Sequence, residues 1–299
     1  MKMIRFFIVA FSFLLIWVVP ATGVTIPPEL KQVVTFVYVK DNAGKMIPNG
    51  TGFFVGVKDS RNKDRMYGYF VTSKHVLQQS EGGPFFGQVG LRLNLKAGNS
   101  TLVEVPIIVE GTHKTVFFHS DSTVDLAVIP YLPDQNTVEY KAVPDDMITT
   151  REDFEKLHIS EGSDIFFTGL FTPYVGEVRN YPIVRFGRVA LVTPEKINWN
   201  GTKMDLYLLE TASYGGNSGS PVFFHLGQDR QPGSIIIGPP EIHLAGIMMG
   251  TFQQGTPIQV VKTDTIPVSV SNIGIAAVVP AYKLHELLFG EELRMMRKE

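Results

Sequence analysis

From Val33 onward the chain repeats one pattern: short runs dense in Val, Ile, Phe and Tyr, set between clusters of Gly, Pro, Asn and Asp. The runs "VVTFVYVK", "GTGFFVGV", "YGYFVTS", "LRLNL", "VEVPIIVE" and "DLAVIPY" form a first group. After the polar stretch "LPDQNTVEYKAVPDDMITTREDFEKLHISEG" come "DIFFTGLF", "YPIVRFGRVALV", "DLYLLETA", "SPVFFHL", "IHLAGIMMG" and "VSVSNIGIAAVVP". Runs of this length, rich in β-branched and aromatic residues and bounded by turn formers, predict strands. Two such groups around a polar stretch predict two β-rich lobes. Helical spacing is confined to the last segment, "PAYKLHELLFGEELRMMRK", where Leu284, Leu287 and Leu288 recur after Pro280. Residues 228–240 and 253–264, rich in Gly, Pro and polar side chains, read as surface loops. A helix-poor, two-lobed pattern points to paired barrels or sandwiches and away from an α/β sheet.

Composition narrows the chemistry. At 299 residues and 44% apolar, the chain can bury one large core or two smaller ones. A net charge of −2 with no basic block provides no electrostatic footprint for nucleic acid. The absence of cysteine excludes disulfides, thiolate metal sites and a cysteine nucleophile. The opening "MKMIRFFIVAFSFLLIWVVPATG" sets Lys2 and Arg5 before an apolar run, then Pro20, Ala21 and Gly23, the layout of a signal peptide over residues 1–23. Its removal places the protein outside the cell or in a periplasm. Its retention would make it a membrane anchor, the one route by which this reading involves a membrane.

Candidate chemistry begins at "YGGNSGSPVFF", residues 214–224, where a serine sits among small residues just before an apolar strand. A polar turn accounts for this stretch alone. Acyl transfer by serine also needs a base within reach, a group that orients the base, and amide N–H groups aimed at the oxyanion. His75, after the apolar run of "YFVTSKHVL", supplies a base; Asp125, ahead of the apolar run in "STVDLAVIPY", supplies a carboxylate. Gly216 and Gly219 let the backbone turn so that the N–H groups of Gly216 and Ser218 point together. The order His, Asp, Ser excludes the α/β-hydrolase arrangement, in which serine comes first and a helix follows it. Asp121, in "HSDSTVDL", is the rival carboxylate, set among polar residues. His285-Glu286 starts a zinc-helix pattern, but position 289 is Phe, so no metal or cofactor is expected.

Taken together, "GTGFFV", "VTSKHVL", "VDLAVI", "GGNSGSPVF" and "NIGIAAVVPAYKLHELL" resemble the trypsin-like serine proteases, and more particularly the bacterial HtrA/Deg-like branch, from about Gly50 to Leu288. The resemblance implies an all-β fold of two six-stranded antiparallel barrels with a C-terminal helix. It implies a protease domain over 24–290, with barrels at about 30–135 and 160–282, a helix at 280–290 and a tail at 291–299. Ser218 would be the nucleophile, His75 the base, Asp125 the orienting group, and the Gly216 and Ser218 amides the oxyanion hole. Substrates would be proteins or peptides, and an oligomer is compatible with this reading. The aspartate that pairs with a newly cut N-terminus in digestive members is Asn217 in this chain, so activation by that ion pair is not expected. Nor is the PDZ domain of HtrA members expected after the last helix. By the same alignment Ala212 lies at the base of the primary pocket, with Met248, Met249, Thr251 and Gly274 along its wall. No acidic residue occupies these positions, which implies a small or medium apolar side chain before the scissile bond. A catalytically silent binding module on the same fold is the alternative.

Overall fold

The computed structural model describes residues 25–227, 240–257 and 268–299; the predicted leader lies outside them, as do most of the two predicted surface loops. Residues 253–257, read as loop, instead continue a strand. In the first lobe the strands are β1 (Val34–Lys40), β2 (Met46–Asp59), β3 (Asn62–Thr72) and β4 (Gln88–Asn94). They are followed by β5 (Ser100–Pro106), β6 (Phe117–Phe118), β7 (Ala127–Ile129) and β8 (Val143–Pro144). The sheet runs β5-β4-β1-β2-β3-β7-β6, with β8 joined in parallel to β2. Eight strands thus stand where six were expected, because the two-residue strands β6 and β8 add short pairings.

The second lobe holds β9 (Asp164–Gly169), β10 (Ile183–Leu191), β13 (Tyr207–Glu210), β14 (Pro221–Leu226), β15 (Glu241–Pro257) and β16 (Val268–Pro280). These close into a six-stranded barrel, β10-β13-β16-β15-β14-β9, while β11 (Ile197–Trp199) and β12 (Thr202–Met204) make a separate ribbon. The architecture is the expected all-β double barrel. Closure leaves the six barrel strands without a free sheet edge.

The apolar runs are continuous, not alternating, because both faces of the central strands are covered. On β2, Phe53, Val55 and Val57 face a cluster shared by the two lobes, whereas Phe54 faces the interior of the first. On β9, Phe166 belongs to the shared cluster and Phe167 to the second barrel's core; Phe223 and Phe224 on β14 divide in the same way. Successive side chains on a strand point to opposite faces, so a pair of adjacent phenylalanines fastens two cores at once.

Helices are more numerous than the spacing predicted. The polar linker contains α2 (Arg151–Lys156), after the short α1 (Glu29–Gln32). Thr150 and Asp153 form a capping box at its start, Asp153 accepting from the Thr150 N–H at 2.8 Å. The predicted C-terminal helix is α3 (Ala281–Leu288), and the presumed tail folds into α4 (Glu291–Arg297). Leu293 and Arg297, four apart, are both buried; Arg297 donates to the Tyr69 hydroxyl at 3.0 Å and the Leu288 carbonyl at 2.8 Å. Among the described residues no helix is long and apolar enough to cross a membrane.

Candidate active site

His75 does not sit on β3 itself but on the single 3-10 turn Lys74–Leu77 that follows it. The backbone N–H of His75 donates to Asp125 Oδ1 at 2.9 Å, and its Nδ1 lies 2.6 Å from Asp125 Oδ2. Asp125, 7% exposed in the turn before β7, therefore spends both oxygens on one residue. A carboxylate only accepts, so Nδ1 carries the proton and Nε2 presents a lone pair. Burial disfavours the charged ring, but the charge and hydrogen bond of Asp125, helped by Glu81, outweigh it and raise the His75 pKa above its ordinary value. Asp121 is engaged elsewhere: its Oδ2 lies 3.0 Å from Lys196 Nζ, and its Oδ1 accepts from Thr123. Those bonds, first from Thr123 and then from Lys196, hold its carboxyl well below the usual range.

The serine loop is fixed by its backbone. Gly216 has φ of +93° and Gly219 of +84°, conformations open to glycine. A Cβ on Gly219 would stand 2.0 Å from the Thr51 carbonyl oxygen. Thr51, on β2, ties the lobes together at this point. Its hydroxyl receives the Leu170 N–H at 3.0 Å and donates to the Gly216 carbonyl at 2.7 Å, while its N–H donates to the Ser218 carbonyl at 2.9 Å.

Asn217 is buried at the centre of the loop. Its Nδ2 donates to the Leu170 carbonyl at 2.6 Å, and its Oδ1 accepts from the Tyr214 N–H at 2.9 Å. A neutral amide that donates on one side and accepts on the other needs no charged partner. With the Gly216 carbonyl turned to Thr51, the N–H groups of Gly216 and Ser218 have no acceptor among the described residues. Two unused donors thus lie in one bend, the kind of group an oxyanion hole requires.

The Ser218 hydroxyl is bonded to the Met249 carbonyl at 3.0 Å, and no hydrogen bond joins it to His75. The segments around the two residues nevertheless meet. A Cβ on Gly50 would lie 2.7 Å from the Val76 side chain and 3.3 Å from the Ser218 carbonyl. Ser73, two residues before His75, donates to the Met248 carbonyl, which also accepts from the Gly219 N–H. His75 and Asp125 thus come from the first lobe and Ser218 from the second, on segments that meet where the lobes touch.

The expected pocket divides. Ala212 is exposed, and Thr251 and Gly274 are half-buried; the Thr211 N–H bonds to the Gly274 carbonyl at 2.9 Å. Met248 and Met249 do not offer their side chains to a pocket wall. The Met248 side chain is enclosed in the second barrel's core and that of Met249 in the shared cluster, because strand alternation sends them to opposite covered faces. Met249 contributes its carbonyl instead. The sequence reading missed Trp199, whose ring would be 3.0 Å from a Cβ on Gly250. Its signal was present: Asn200-Gly201, both at positive φ, is the tight-hairpin dipeptide that folds β11 onto β12.

A two-lobed β protein with a His–Asp pair on one lobe and a serine in a donor-rich bend on the other has the layout of a serine hydrolase of the double-barrel class. The model of the trypsin-like peptidase domain matches residues 50–228, and the chain belongs to that family. Among solved structures, the MamO protease domain from Magnetospirillum magneticum is similar at 14% identity and a TM-score of 0.48, covering 87% of this chain and 97% of that one. The inactive form of the Rv3671c protease from M. tuberculosis H37Rv matches at 14% identity and a TM-score of 0.42, covering 87% and 88%. A search of the curated proteins gives no match.

Proposed function

We propose that this trypsin-like protein is an exported serine endopeptidase that cleaves peptide bonds through an acyl-enzyme on Ser218. The observation that carries this reading is the 2.6 Å contact of His75 Nδ1 with Asp125, which leaves Nε2 free to act as a base. In this mechanism the Ser218 hydroxyl turns from the Met249 carbonyl toward His75. Nε2 takes its proton as Oγ attacks the substrate carbonyl, and the oxyanion is received by the Gly216 and Ser218 amides. Imidazolium, stabilised by Asp125, then protonates the leaving amine, and water repeats the sequence to release the acid. The released Met249 carbonyl is free to accept an N–H from the substrate backbone.

Export rests on the charged and apolar layout of residues 1–23, with delivery to a periplasm or the cell exterior. A membrane-anchored form is the variant in which that segment is retained, and the mass of the mature N-terminus separates the two. One observation favours a second reading, a catalytically silent binding module: Ser218 is bonded to a carbonyl and not to His75. A fluorophosphonate probe decides between them. Labelling of the natural chain but not of Ser218→Ala supports hydrolysis; equal labelling of both, or of neither, overturns it.

A further inference from the structure

Four described arginines are not fully exposed: Arg92, Arg179, Arg185 and Arg297. Arg92 is satisfied by the carbonyls of residues 176 and 177 and by Ser100, Arg179 pairs with Glu139, and Arg297 bonds Tyr69, Leu288 and Glu299. Arg185, the third residue of β10, has no ion pair and no hydrogen bond among the described residues, and its Nε is buried without a partner. Its guanidinium instead faces aromatic rings, its central carbon 4.8 Å from the Tyr214 ring centre and 6.0 Å from that of Phe171. Aromatic faces attract a cation, but they do not accept its N–H donors along the fork directions. A partly buried guanidinium with empty forks is suited to a planar anion.

The surroundings place it beside the proposed chemistry. Tyr214 belongs to the serine loop, giving its N–H to Asn217 and accepting the Asn217 N–H at 3.0 Å. Phe171 lies between Leu170 and Thr172, the two side chains that crowd Gly216. Tyr214 is more than half exposed and gives the guanidinium an apolar neighbour open to solvent. Arg188, farther along the same strand, points to solvent and pairs with Asp164 at 3.1 Å, so the strand's other cation is already matched.

We propose that Arg185 forms an anion-binding subsite that selects polypeptides with a glutamate or aspartate close to the bond held at Ser218. The carboxylate would bind the guanidinium fork, with its methylene stem on Tyr214. This rests on the endopeptidase reading for its orientation, and it adds a charge requirement to the apolar preference expected from Ala212.

The test uses pairs of peptides that differ by Glu against Gln at one position, scanned across the cleavage site. The natural chain should show a kcat/KM ratio favouring Glu by about tenfold or more at one position, as expected of a charge-assisted bond. That ratio should fall to near one in Arg185→Gln, and Arg185→Glu should favour Lys at that position. Arg188→Gln should retain the natural ratio. Thermal melting of each variant shows that it is folded. The same peptides, fluorescently labelled and bound to Ser218→Ala, report the Glu preference by anisotropy without any cleavage. A Glu/Gln ratio near one in the natural chain, or a preference that survives Arg185→Gln, overturns the subsite while leaving hydrolysis standing. Failure of probe labelling with a preserved Arg185-dependent binding preference overturns hydrolysis and leaves the subsite.

Discussion

The two lobes furnish the site by different physics. In the first, one carboxylate grips His75 at both its backbone N–H and its ring, so orientation and proton placement are set by a charge with a low exposure to water. In the second, the bend is held without an ion pair among the described residues: glycine conformations, the Thr51 hydroxyl and the Asn217 amide shape it, and the serine hydroxyl is bonded to a carbonyl. The charge-held pair is complete within the protein, whereas the amide-held bend leaves the N–H groups of Gly216 and Ser218 without an acceptor among the described residues. The difference teaches that the base is oriented by charge on one side of the lobe boundary, and the serine by backbone shape and neutral hydrogen bonds on the other.

The comparison is broken most severely by Asp125→Asn. An amide in that position favours the wrong ring tautomer, and peptide hydrolysis should fall by about four orders of magnitude with the fold intact, measured as kcat at saturating substrate. A loss of less than tenfold would mean that the carboxylate does not set the ring. Asn217→Ala attacks the other half. It strands the Leu170 carbonyl and the Tyr214 N–H, so stability should drop by about 1–3 kcal/mol per orphaned group in denaturant titration. Turnover should drop by about one to two orders of magnitude as the bend loosens. Asn217→Asp, with a charge and no cationic partner, should do at least as much damage.

Proton titration sharpens the contrast. His75 acts as a base only when neutral and its pKa is raised, so activity should be present above that raised value and disappear as pH falls through it. Stability runs the other way. The contribution of the His75–Asp125 pair is full below the unfolded value near 6.5 and is lost as pH rises through the folded one. NMR titration of the imidazole should show its midpoint moving down in Asp125→Asn, since burial then acts without its opponent; an unmoved midpoint would contradict the assigned cause. The smallest effect is expected from Asp121→Asn. That carboxyl bonds Thr123 and Lys196 and not His75, so kcat/KM should stay within about twofold of the natural chain.

Much of this was written in the chain's pattern. Strands show as apolar runs because both their faces are covered, and His75, Asp125 and Ser218 each border such a run. The same continuity hides direction. Met248 and Met249 look equivalent in sequence, yet the side chain of one enters the barrel and that of the other the shared cluster. Helix α4 was missed because its buried pair is Leu293 with Arg297, and an arginine reads as surface until Tyr69 is seen opposite it. Arg185 carries no local signal at all. Its meaning depends on Tyr214 and Phe171, which only tertiary packing brings to its side.

The apolar cluster shared by the lobes has a consequence for how the molecule comes into being. Phe36 and Phe53 near one end of the chain, and Phe223, Ile247 and Leu284 near the other, are buried by one another, so neither lobe completes its surface alone. Such sequence-distant contacts form late and slowly. A nascent chain that has emerged only through Asp125 holds the imidazole and its carboxylate but nothing for them to act upon. Whatever reactivity the cleft has therefore arrives in a single event, when the lobes dock. Completion of the cleft is thus timed by topology.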